Sequence, residues 1–172
     1  YMSFLNLLQT NIDGSNTKEI VKQCKKFSKS DLEELMGGVA PPLILAIYFS
    51  CKEAVKELLK RGSNLNQLSN DGSSALLWAF VKKDRNIIDM VLKKKPDFTI
   101  KNNTGKTPLF TLCSNLNSVK YLKEAIKQIG ESGFRRACRD SCDTTETLLS
   151  SCIECITNYK EEKEDLDLIA AQ

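Results

Sequence analysis

Apolar residues recur at helical intervals in paired runs through the middle of the chain. Leu43, Ala46 and Ile47 form one short stripe, and Ala54, Val55, Leu58 and Leu59 form another. Further on, Leu76, Ala79 and Phe80 are followed by Ile87, Ile88, Val91 and Leu92. Steps of three and four residues place each set on one side of a helix, so each stretch predicts two short amphipathic helices.

The two stretches are copies of one unit. Advancing residues 69–101 by 33 positions sets Gly72 on Gly105, Ser74 on Thr107, Ala75 on Pro108 and Leu76 on Leu109, without a gap. Moving them back by 33 sets Leu76 on Leu43, Ala79 on Ala46, Ile88 on Val55 and Leu92 on Leu59. A fixed period of this size marks supersecondary units that stack to share a core. Thr107 predicts an N-cap whose hydroxyl accepts an orphan amide, and Pro108 occupies the first helical position, where a missing N–H costs nothing. Gly62 predicts a left-handed helix end, and Gly72 and Gly105 predict tight reversals with positive φ. The stretch Gly105-Lys106-Thr107 also copies the end of a phosphate-binding loop. That loop needs a Gly five residues earlier, where Ile100 stands, and Pro108 removes an amide donor that a phosphate cradle requires. The stretch is therefore a turn and a helix start.

The unit resembles the ankyrin repeat. "DGSSALLWAF" and "TGKTPLF" match the family's turn and first helix, and "EAVKELLKRGSNLN" and "NIIDMVLKKKPDF" match its second helix and the connection after it. The likeness is strongest over residues 39–126. The family's His is Ile44, Leu77 and Phe110 here, so side-chain hydrogen bonding between neighbouring turns is expected to give way to apolar contact. The resemblance implies an all-α solenoid of about five helix pairs in a single domain over 1–172. Residues 1–38 would form an irregular capping pair, "FLNLLQT" with "TKEIVKQCKKF", joined to regular repeats in 39–126. Residues 127–172 would form an irregular last repeat and cap, in which "GESGFRRACRDSCDTT" is expected to be an extended linker before "ETLLSSCIECI".

The resemblance also implies a concave face lined by turn tips and by exposed positions of each first helix. The tips would be Asn70, Asp71 and Ser73, then Asn103, Thr104 and Lys106; the helix positions would be Tyr48 and Phe49, Val81 and Lys82, then Ser114 and Asn115. Tyr48 and Phe49 are large aromatics where solvent-facing residues are expected, and Trp78, one turn earlier on the neighbouring helix, extends the patch. Packing of both rings against the N-terminal pair is the alternative.

Composition narrows the chemistry. The chain has 172 residues, 41% of them hydrophobic, enough for one domain with an interior. It has no His, which removes the commonest general base, metal ligand and partner of a nucleophile, so neither catalysis nor a cofactor is expected. Adjacent carboxylates such as Glu33-Glu34 and Glu161-Glu162 point to different sides of a helix and read as solvated surface. Seven Cys in helix-like segments argue for reduced thiols. Cys138, Cys142, Cys152 and Cys155 could supply four thiolates to zinc, against the plainer role of small buried residues. The net charge of +3 is weak and its signs are interleaved, so nucleic acid is an unfavoured partner. The rival adaptor reading would use Lys56, Lys60, Arg61, Lys93, Lys94 and Lys95 on the helix backs, in phosphate-driven, salt-sensitive binding. No apolar run approaches the roughly 20 residues of a membrane helix, and "YMSFLNLLQT" lacks the basic start of a signal peptide. A cytoplasmic or nuclear location is expected. The expected function is a non-catalytic protein–protein interaction module, scaffold or regulatory subunit; the resemblance brings a kinase or a cell-cycle complex among the partners considered.

Overall fold

The computed structural model describes residues 2–116, 118–141 and 157. Four helix pairs follow one another in these residues: α1 (Met2–Thr10) with α2 (Thr17–Lys26), α3 (Pro42–Tyr48) with α4 (Lys52–Lys60), and α5 (Ala75–Lys82) with α6 (Arg85–Leu92). The fourth is α7 (Pro108–Thr111), which runs on as a π-helical stretch Leu112–Leu116, with α8 (Val119–Ser141). No strand occurs among the described residues; Met36 and Ala40 form an isolated antiparallel bridge. The positions expected for a fifth pair, in 142–172, lie outside the described residues apart from Thr157.

Three helices, α5, α6 and α7, start where a side chain satisfies their free amides. Thr107 Oγ1 accepts from Phe110 N at 3.0 Å, and Pro108 opens α7. Ser74 caps α5 through Leu77 N at 3.4 Å, and Asp84 caps α6 through Asn86 N at 3.0 Å and Ile87 N at 3.3 Å.

The apolar stripes then pool. α3 packs against both α4 and α5, α5 against α6 and α7, and α2 against α4. Residues Pro42 to Ile47 are all buried, as are Leu76, Leu77, Ala79 and Phe80 of the next unit. Ala46 and Ala79 are fully enclosed, and their small side chains let successive first helices approach closely. Phe80 reaches Phe98 and Tyr121 at centroid distances of 6.3 and 6.1 Å, which carries the core into the fourth pair. Cys24 is enclosed in the same interior, and burial, ahead of the neighbouring Cys51, pushes its thiol up to about 12; it remains a neutral core residue.

The turns repeat with the same period. Met36 N donates to Ala40 O at 3.0 Å, Ser69 N to Ser73 O at 3.0 Å and Asn102 N to Lys106 O at 2.9 Å, so one reversal recurs every 33 residues. Neighbouring tips are stitched together: Asn70 N donates to Val39 O at 2.7 Å and Asn103 N to Asp71 O at 2.9 Å. Ile44 and Leu77 are buried where the family places its His, and Phe110 is half-buried. Hydrogen bonding between turns nevertheless persists, through backbone groups and through Asn103 Nδ2 to Asn70 O at 3.3 Å and Asn102 Nδ2 to Ser73 Oγ at 3.2 Å.

One expectation is corrected. Residues 131–141, expected as linker, continue α8 beyond a break at Gly130, where φ is 75° and ψ is 161°. The reason is tertiary: Phe134, Ala137 and Cys138 have helical spacing and are buried.

Gly62 and Lys95 stand one repeat apart, and both are left-handed, with φ of 85° and 53°. A Cβ at Gly62 would meet nothing within 4 Å, so the cost of Gly62→Ala is backbone strain alone, expected at about 1 kcal/mol. Lys95→Gly removes that strain and is expected to stabilise by roughly 0.5 kcal/mol after the added freedom of the unfolded chain is counted. Urea unfolding of both variants checks this; shifts of the same sign would contradict it.

Candidate functional site

The first helices bury their inner stripe and leave one edge open, and beside that edge lies a groove of about 400 Å³. Leu5 and Gln9 of α1 line it together with Val39, Ile44 and Leu45 and the rings of Tyr48, Phe49 and Trp78. Asn70 and Asp71, from the turn before α5, also line it. Tyr48 is 44% exposed, while Phe49 and Trp78 are half-buried and packed against the core. The three rings interlock edge to face: Tyr48 lies 5.1 Å from Phe49 and 5.2 Å from Trp78, with interplanar angles of 82° and 80°. Lys82 Nζ lies 4.9 Å from the centre of the Tyr48 ring, a cation–π arrangement. The indole Nε1 of Trp78 is enclosed without a hydrogen-bond partner, an arrangement that native interiors rarely leave in place.

Asp71 is held by its own turn. Its Oδ1 accepts from the Ser69 hydroxyl and from Ser73 N at 3.2 Å, and its Oδ2 accepts from the Ser73 hydroxyl at 2.8 Å. Burial raises its carboxyl, but the hydrogen bonds from Ser69 and Ser73 outweigh this and hold it below its ordinary value, so it is ionised at neutral pH. No Lys or Arg among the described residues pairs with it.

The structure thus brings Tyr48, Phe49, Asn70, Asp71 and Trp78 to one groove, with Lys82 at its flank. Val81 and Lys82 are exposed further along α5. Asn103, Thr104 and Lys106 are exposed on the next tip, and Ser114 is exposed on the π-helical stretch with its hydroxyl donating to Phe110 O at 2.9 Å. Ser73 departs from the expectation: only 1% of it is exposed, because its hydroxyl is drawn between Asp71 and Asn102. It supports the tip and presents nothing to a partner. The side chain of Asn115 lies outside the described residues, as do Cys142, Cys152 and Cys155 of the zinc alternative; Cys138 is buried. Lys56, Lys60, Arg61, Lys93, Lys94 and Lys95 are exposed, and the Arg61 guanidinium donates to Phe27 O. Sequence reasoning missed Leu5, Gln9, Val39 and Leu45. The i, i+4 pair Leu5–Gln9 is visible in α1, but its docking beside α3 is not a local signal.

A family model described as ankyrin repeats, in three copies, matches residues 12–102. An ankyrin repeat protein of Acanthamoeba polyphaga mimivirus is 33% identical over 88 residues, which are 51% of this chain and 11% of that protein. Neurogenic locus notch homolog protein 1 of Xenopus tropicalis is 32% identical over 81 residues, covering 47% of this chain and 3% of that protein. The chain therefore corresponds to a small part of these relatives. The solved structure of EF0377, an ankyrin repeat protein, superposes with a TM-score of 0.56 at 20% identity, over 74% of this chain and 63% of that one, and shows the likeness of fold.

The depressed carboxyl of Asp71 sets the sign of a pH effect. Its contribution to stability is present above the ordinary value of 3.8 and is lost as pH falls through the lower value of the folded state. The stability difference between the parent chain and Asp71→Asn is expected to be full at neutral pH and to shrink only as pH falls below 3.8. Urea unfolding across pH reads it, and a difference that grows on acidification would contradict the assignment.

Proposed function

Since this chain belongs to the ankyrin-repeat family, whose repeats are protein–protein interaction modules, we propose that it is a non-catalytic recognition domain that grips a partner protein along the groove and the turn tips beside it. Residues 1–172 act as one unit in this reading, with atypical end pairs capping the regular repeats. Tyr48, Phe49 and Trp78 supply the energetic centre, because large rings that are rigidly held and half-desolvated yield more on binding than mobile surface side chains. Asn70, Asn103, Thr104 and Lys106 supply a polar rim, and Val81, Lys82 and Ser114 extend the face. The observation that carries the reading is the exposure of Tyr48 at the open side of an interlocked aromatic cluster. A regulatory-subunit role, with a kinase or cell-cycle complex as the partner, is the finer form of the same reading and rests on the family resemblance. No described helix is long and apolar enough to cross a membrane.

Tyr48→Ala is expected to weaken partner binding by about 2 kcal/mol while changing stability by less than about 1 kcal/mol, because the ring is at the rim of the core. Phe49→Ala is expected to cost about 3 kcal/mol of stability as well as binding. Pull-down with each variant beside thermal unfolding separates the two effects. Full partner retention by Tyr48→Ala would sink the proposal. The basic-surface alternative predicts duplex binding that falls steeply with salt and disappears when Lys93, Lys94 and Lys95 are neutralised.

A further inference from the structure

The groove is apolar over most of its wall, yet one charged side chain lines it, and that charge is negative. Asp71 Oδ1 already accepts two hydrogen bonds, whereas Oδ2 accepts one, from Ser73, and so has room for a further donor. An apolar occupant would strip water from that carboxylate and return nothing, and an acidic one would be repelled by it. A cation on an aliphatic stem suits both parts of the wall. The flank of the cluster already holds one cation, Lys82 Nζ, 4.9 Å from the centre of the Tyr48 ring.

Resting on the reading of this groove as a docking surface, we propose that it receives an Arg or Lys side chain from a segment of a partner protein. The methylene stem runs along Val39, Leu45 and Phe49, and the cation meets Asp71 Oδ2 beside the aromatic cluster. This form of contact gains from a charge-assisted hydrogen bond and from burial of the stem at once.

Trp78 is the only Trp of the chain, so its emission reports on the groove directly. The full chain is panned against a displayed library of short random peptides, and recovered peptides are titrated while Trp78 fluorescence is followed. The expected result is enrichment of Arg or Lys next to an apolar residue, with a change in emission on binding. Replacing the peptide's Arg by citrulline, or its Lys by norleucine, leaves the protein untouched and is expected to weaken binding about 10-fold. Asp71→Asn is expected to do the same. Peptides that shift Trp78 emission and lose affinity with Tyr48→Ala, yet carry no basic residue or ignore the citrulline change, would overturn the proposal and leave the docking surface standing. Binding that leaves Trp78 emission unchanged, self-association of the chain through Tyr48, or no enrichment at all would overturn both the proposal and the reading of the groove as a docking surface.

Discussion

The helix pairs of the described residues share their apolar faces with their neighbours, and that constraint organises everything else. α3 turns Leu43, Ile44, Leu45, Ala46 and Ile47 inward, yet α4 covers only one side of it; α5 covers another. Each first helix is closed by the next unit, and the smallness of Ala46 and Ala79 permits the approach. The interior is consequently one elongated seam from Phe4 to Phe134, held laterally by tips that bond to one another at the repeat period. Stability in such an array is a sum of modest unit terms and larger interface terms.

The same constraint produces the groove. Stacking consumes the inner stripe and leaves the outer edge of each first helix beside its turn. Along that edge Lys82 and Ser114 are polar, but Tyr48, Phe49 and Trp78 are rings that no neighbour among the described residues fully covers. Interlocked edge-to-face packing fixes them without enclosing Tyr48, so a rigid apolar surface is retained next to an ionised carboxylate. Recognition by preformed rings loses little side-chain freedom on binding.

How much of this could be seen in the sequence depended on how local each signal was. The cap at Thr107, the start at Pro108, the left-handed Gly62 and the stripes at Leu76 and Ile87 are decided within a turn of helix, and all are found as read. Tyr48 at the open edge followed from its register against the repeat. The burial of Ser73 was not legible, because one of its two side-chain partners, Asn102, lies 29 residues away. The helical course of residues 131–141 was masked by Gly130 and an Arg pair that look like linker, and only the burial of Phe134 reveals it. The wall contributed by α1 was missed for the same reason: Leu5 meets the groove through docking across an irregular connection, which no local pattern encodes.

The shared interior is open to one direct measurement. Native-state amide hydrogen exchange in Ile88→Val trims one buried methyl from α6, a loss of about 1 kcal/mol. If the units depend on a common seam, protection in α3 and α4 falls together with that in α5 and α6, by a similar factor. Loss of protection confined to α5 and α6, with α3 and α4 unchanged, would show units that stand alone and would contradict the account.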